Sequence, residues 1–180
     1  GAMDLMLDMK FTDIDLHEIR RIKTEERDLK GTVNGTLSLD GNLGQYPATL
    51  VGKGNLGINK GIFEMHPILD ALAGIMNIAL LGLGDDDRAD AQFTIKDKRI
   101  DISRFTILAN PIGVRGRGWV RFDQTINLRC NAGPLEALQE STGALGSFFG
   151  SLTDRLLDYV IRGTIDNPTV RVAPLGIGFW

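Results

Sequence analysis

The sequence predicts an α+β fold: a curved, mostly antiparallel β-sheet, groove-like or taco-like, with two or three helices covering one face or end. Three observations predict it. Short segments alternate apolar and polar side chains with a period of two, the pattern of strands with one dry and one wet face. Glycine supplies 22 of 180 residues, about 12% against roughly 7% in ordinary proteins. With six prolines and no low-complexity run, those glycines belong inside structure. Apolar residues at helical spacing are confined to stretches near 16–29, 68–81 and 143–157.

Strand one is expected over residues 4–11, where Leu5, Leu7, Met9 and Phe11 alternate with Asp4, Asp8 and Lys10. Thr12 or Asp13 can then cap a charged helix over roughly 16–29 with a narrow stripe of Leu16, Ile19 and Ile22. From Gly31 to Gly41, Val33, Leu37 and Leu39 share one face, and Thr32, Asn34, Thr36, Ser38 and Asp40 the other. Ala48, Leu50, Leu56 and Ile58 continue this logic through Gly52 and Gly54, where glycine marks a bend, bulge or close backbone approach.

Residues 68–83 are apolar almost all round, so a helix there is buried or touches lipid. Asp70 and Asn77 weigh against a bilayer span and leave packing over the sheet or dipping into a membrane surface. Ala91, Phe93 and Ile95, a turn at Asp97-Lys98, then Ile100 and Ile102 describe a hairpin. The parity shifts near Arg104, because Phe105 and Ile107 fall out of phase, which predicts a bulge or two-sided burial.

After Pro111 a second hairpin follows, with Ile112, Val114, Val120 and Phe122 before Asp123-Gln124, and Ile126, Leu128 and Cys130 after it. Pro134 is expected to open a short helical piece, and Leu145, Phe148, Phe149, Leu152, Leu156 and Leu157 keep helical spacing to about Asp158. Tyr159, Ile161 and Ile165 restore strand spacing, and Asn167-Pro168 interrupts it before Val170 and Val172. Residues 50–58 laid over 114–122 match two glycines and three apolar positions, so one bent-strand unit is expected twice.

The length suits one domain, assigned to residues 4–180. Gly1-Ala2-Met3 has the character of a remnant of tag removal, and the chain is expected to be a piece of a longer protein. Twenty basic against 23 acidic residues leave a net charge of −3, with both signs scattered along the sequence, which argues against a nucleic-acid partner. The single Cys130 permits neither an intramolecular disulfide nor a zinc cluster.

No motif announces catalysis. Residues 52–57 satisfy the dinucleotide string, but strand residues follow where a helix N-terminus must receive the pyrophosphate. Asp85, Asp86, Asp87 and Asp90 lack the spacing of a calcium loop and read as a solvated loop. His17 and His66 are isolated, and none of Ser38, Ser103, Ser141, Ser147 and Ser151 lies in a nucleophile elbow. The expectation is therefore a non-enzyme with no catalytic, metal or cofactor residues.

The recurring Gly-x-x-x-Gly-x-Leu-x-Leu strands, the apolar insertion after Gly61-Ile62-Phe63, the strand pair over 91–122, and Gly163-Thr164-Ile165-Asp166-Asn167-Pro168-Thr169-Val170 with Pro174-Leu175-Gly176 together resemble the C-terminal region of AsmA-like proteins of the Gram-negative envelope. The resemblance runs from about Asp4 to Gly176. It implies a periplasmic β-groove protein, anchored to the inner membrane through a segment outside this sequence. It also implies a part in lipid transport and outer-membrane homeostasis, and carries no catalytic residues.

On that reading the apolar face is a groove for phospholipid or other acyl chains. Its candidate residues are Leu37, Leu39, Leu50, Leu56, Ile58, Phe93 and Ile95, then Ile100, Ile102, Val114, Val120, Phe122, Ile126 and Leu128. Ile68, Leu72, Ile75, Met76, Leu80, Phe148 and Phe149 are candidates for a lid or a membrane contact. The alternative is a structural module without lipid, docking an envelope protein through an open sheet edge.

Overall fold

The structure is a computed structural model describing residues 3–15, 31–61, 67–76, 87–109, 111–134 and 157–173. Among the described residues nine strands form one sheet: β1 (Asp4–Asp15), β2 (Thr32–Asn42), β3 (Val51–Gly61), β4 (Asp87–Lys96), β5 (Arg99–Ala109), β6 (Ile112–Arg121), β7 (Thr125–Pro134), β8 (Leu157–Thr164) and β9 (Pro168–Val172). Their spatial order is their sequence order, and every neighbouring pair is antiparallel. Neighbouring strands twist by about 20–25° per step, so eight steps turn β9 roughly 160–200° from β1 and the sheet must coil.

Local chemistry sets the hairpins. Asp97 and Lys98 both take positive φ (53° and 57°), the conformation of a two-residue turn whose twist matches the flanking strands. At the next hairpin Thr125 donates to Asp123 Oδ1 from both its hydroxyl (2.6 Å) and its backbone N–H (3.0 Å). That arrangement ties the turn to the first residue of β7. The expected parity shift resolves as a bulge: Ile102 pairs Gly118 while Phe105 pairs Gly116, leaving an extra residue in β5. The Ser103 hydroxyl donates to the Gln92 carbonyl at 3.1 Å, and the bulge returns Phe105 to the same face as Ile102.

One α-helix, α1 (Pro67–Met76), lies among the described residues, between β3 and β4 in sequence. It packs on the far end of the sheet, where Leu69, Leu72 and Ala73 join Phe105, Ile112, Val114, Ile126, Leu128, Cys130, Tyr159 and Ile161 in the core. Leu72, Ile112, Tyr159 and Ile161 are fully buried. Burying each of these large side chains contributes about 1.5–3 kcal/mol relative to exposure, so the core is centred on β5–β8.

Several boundaries differ from the sequence reading. Neither Thr12 nor Asp13 caps a helix: β1 runs on to Asp15 through a bulge between Phe11 and Ile14, and the Asp13 N–H (φ 53°) donates to Asn34 Oδ1 at 2.9 Å. Ala48 is exposed in the β2–β3 connection, because the Thr49 hydroxyl accepts from the Asn42 N–H (3.0 Å), donates to the Asn42 carbonyl (3.1 Å), and closes the loop before Val51. Pro134 is the last residue of β7, opposite Ile112, and the helical piece expected after it lies outside the described residues. Leu157 and Asp158 belong to β8, opposite Ala132 and Asn131. Of the two or three helices expected, α1 alone falls on described residues, and those near 16–29 and 143–157 lie outside them.

Candidate functional site

Strand register assembles the apolar residues into rows that cross the sheet. One row reads Leu7, Leu39, Gly52, Ile95, Ile100, Val120 and Ile126 from β1 to β7. The next reads Met9, Leu37, Gly54, Phe93, Ile102, Gly118, Leu128, Ile161 and Val170 across all nine strands. Leu56 falls in a third row with Phe11, Ala91, Phe105, Cys130 and Tyr159, and Ile58 and Val114 in a fourth with Val33, Ile107 and Ala132. Every groove candidate except Leu50 and Phe122 thus stands in these rows. Leu50 is buried just before β3, and Phe122 sits half-buried past the end of β6, its N–H donating to the Lys98 carbonyl at 3.0 Å.

Glycines interrupt the rows where a neighbour's large side chain lies down. A Cβ on Gly54 would stand 2.7 Å from Phe93 Cζ and 2.6 Å from the Thr36 carbonyl oxygen. One on Gly116 would stand 2.8 Å from Phe105 Cζ and 2.4 Å from the Arg129 carbonyl oxygen. These two glycines are floor space for aromatic rings; in the sequence echo Gly54 lies over Gly118 and Gly52 over Gly116, and at Gly52 and Gly118 the neighbouring side chains are Leu39 and Leu128.

The two halves of the face differ in cover. At one end, α1 packs closest to β9 and joins the core of β5–β8, where Val114, Ile126 and Leu128 are buried. Over β1–β4, Val33 and Ile95 are buried, while Leu7, Leu37, Leu39, Leu56, Ile58 and Phe93 are half-buried and Met9 is 41% exposed. Among the lid candidates Leu72 is buried, Ile68 and Met76 pack against the core, and Ile75 is 43% exposed; Leu80, Phe148 and Phe149 lie outside the described residues. The bulge at Ser103 hid Phe105 and Ile107 from the groove assignment, and the parity break near Arg104 was the signal for them.

Two ionisable groups inside this face, Cys130 and Tyr159, are held neutral. Burial, reinforced by the nearby negative charge of Asp158, pushes the Cys130 thiol from 9.0 up to about 12. Burial also raises Tyr159, opposite Cys130 on β8, and its buried hydroxyl finds no hydrogen-bond partner among the described residues. A thiol held this way is a small apolar filler and a poor nucleophile.

Asp87 is not in a solvated loop: it opens β4 at 2% exposure. Asp90 is exposed on the same strand, and Asp85, Asp86, His17 and His66 lie outside the described residues. Among the described residues no three His, Cys, Asp or Glu side chains gather in a metal-holding group. On the opposite, polar face an open hollow of about 660 Å³ crosses β1–β5, lined in part by Asp8, Ser38, Asn55, Gln92 and Ser103. Among the described residues no helix is long and apolar enough to cross a membrane. No family model, curated protein or solved structure matches this chain, so the AsmA-like resemblance stands on the residues quoted for it.

Proposed function

We propose that this chain is a non-catalytic lipid-holding domain of AsmA-like type, in which the apolar rows of β1–β4 shelter acyl chains and α1 stoppers the β5–β9 end. One observation carries the reading: an in-register apolar face crosses nine strands, and its first half is left half-exposed by the same sheet whose second half is sealed by a helix. Apolar area removed from water is worth about 25 cal/mol per Å², so such a surface attracts acyl chains without specific bonds. A place in the periplasm, an inner-membrane anchor elsewhere in a longer protein, and a role in outer-membrane homeostasis follow from the resemblance and are part of the proposal.

The test is organic extraction and mass spectrometry of the purified protein. Lipid is expected with the native chain and lost in Leu56→Asp, which charges a half-buried position of the open rows. Unchanged lipid recovery in that variant, or none in the native chain, refutes the reading.

A second reading has its own observation. β1 is an edge strand of 12 residues with Met6 80% exposed, whereas the other edge, β9, has five residues. A long unpaired edge is a template for strand addition, so a lipid-free protein that forms a reproducible complex through β1 favours an envelope docking module.

A further inference from the structure

Charges that look scattered along the sequence are sorted by the sheet. Strands β1–β4 carry seven aspartates against four lysines and one arginine, a balance of −2. Strands β5–β9 carry eight arginines, no lysine and two aspartates, a balance of +6, all on the polar face opposite the core. Arg117 stands directly opposite Arg129, and Arg99 opposite Arg121. Like charges placed opposite one another repel, and the register gathers them into one strongly basic face. Both aspartates are engaged within the face: Asp101 takes a two-point contact from Arg99 (2.9 and 3.0 Å), and Asp158 accepts from the Asn131 side-chain amide.

We propose that this arginine face docks on the phosphate plane of an anionic membrane, independently of what the apolar face holds. Guanidinium groups meet phosphate oxygens in pairs, and their uniform use over lysine on these strands suits phosphate recognition. Five strands at about 4.8 Å spacing spread the charges roughly 19 Å across, a patch for a plane of headgroups more than a track for one strand. Trp119 lies in this patch with the guanidiniums of Arg121 and Arg99 at 5.5 and 6.0 Å from its ring centre, and tryptophan is at home at headgroup depth. A single-stranded nucleic acid needs several aromatic platforms, whereas Phe105 and Tyr159, the other aromatics of β5–β9, are buried on the apolar side.

The test is co-sedimentation with vesicles of phosphatidylcholine alone and of phosphatidylcholine mixed with phosphatidylglycerol. The protein is expected to pellet with the mixed vesicles only, and less as salt is raised. The exposed triple variant Arg104→Gln/Arg162→Gln/Arg171→Gln is expected to partition on the order of a hundredfold more weakly, at roughly fivefold per basic residue. Lys10→Gln/Lys60→Gln/Lys96→Gln, removing three charges from β1–β4, is expected to bind as the native chain does. Equal binding to neutral vesicles, equal losses in the two triple variants, or tighter binding to a single-stranded oligonucleotide than to mixed vesicles overturns the proposal.

Discussion

Replacing Gly116 by alanine places a methyl group 2.4 Å from the Arg129 carbonyl oxygen, 2.7 Å from Cys130 Cβ and 2.8 Å from Phe105 Cζ. Each approach is well inside ordinary contact, and the oxygen belongs to the β6–β7 ladder, so it cannot swing aside as a side-chain tip can. Either the ladder shifts, at about 1 kcal/mol per weakened hydrogen bond, or the Phe105 ring lifts out of the core. Overpacking of this kind costs about 1–3 kcal/mol net, and the upper half of that range is expected because backbone is involved. With a urea slope of about 2 kcal/mol/M for a chain of this size, the midpoint falls by roughly 1–1.5 M. Gly57→Ala is the matched control: its Cβ would meet nothing nearer than the Asn34 carbonyl oxygen at 3.8 Å. Its effect is expected between neutral and a gain of about 1 kcal/mol from lost unfolded-state freedom. Equal midpoints for the two variants refute the view that inner-face glycines are floor space for aromatic rings.

Tyr159→Phe is expected to stabilise the protein by about 1 kcal/mol in urea unfolding, since it deletes a buried hydroxyl that has no partner among the described residues; a loss of stability would mean that the hydroxyl is in fact satisfied. Leu72→Ala is expected to cost about 2–5 kcal/mol, because α1 anchors the core through this fully buried side chain; a cost under 1 kcal/mol on the same scale would detach the helix from the core. Cys130 has a folded-state pKa raised from 9.0 to about 12, so its contribution is complete below pH 9 and is lost as the pH rises toward 12. That loss runs at about 1.4 kcal/mol per pH unit, and Cys130→Ala should show a shallower decline in urea midpoint between pH 8 and pH 10.5 than the native chain. Parallel declines would place the thiol in contact with water.

Side-chain alternation is local, so the assignment of residues to a dry and a wet face was legible from the sequence in β2, β4, β6 and β7, as was the bulge in β5, where Ile102 and Phe105 break parity. Turn chemistry at Asp97-Lys98 and Asp123-Gln124 was legible for the same reason: a few neighbouring residues determine it. The limits of elements were less so. The Asn34 side chain and the Thr49 hydroxyl, each reaching across a loop, decide how far β1 extends and where β3 begins.

What only the tertiary structure decided is two-dimensional. Strand register brings Leu39, Ile95 and Val120 into one row and Arg99, Arg121, Arg129, Arg162 and Arg171 onto one polar face, although long stretches of chain separate them. A net charge of −3 concealed that face, because composition pools it with the acidic surplus of β1–β4 and of the residues outside the strands, while the fold separates them. Which half of the apolar face α1 covers was equally beyond a periodic pattern. A helix between β3 and β4 could have packed on either half, and its place beside β9 is set by the shape of the core that Leu69 and Leu72 complete.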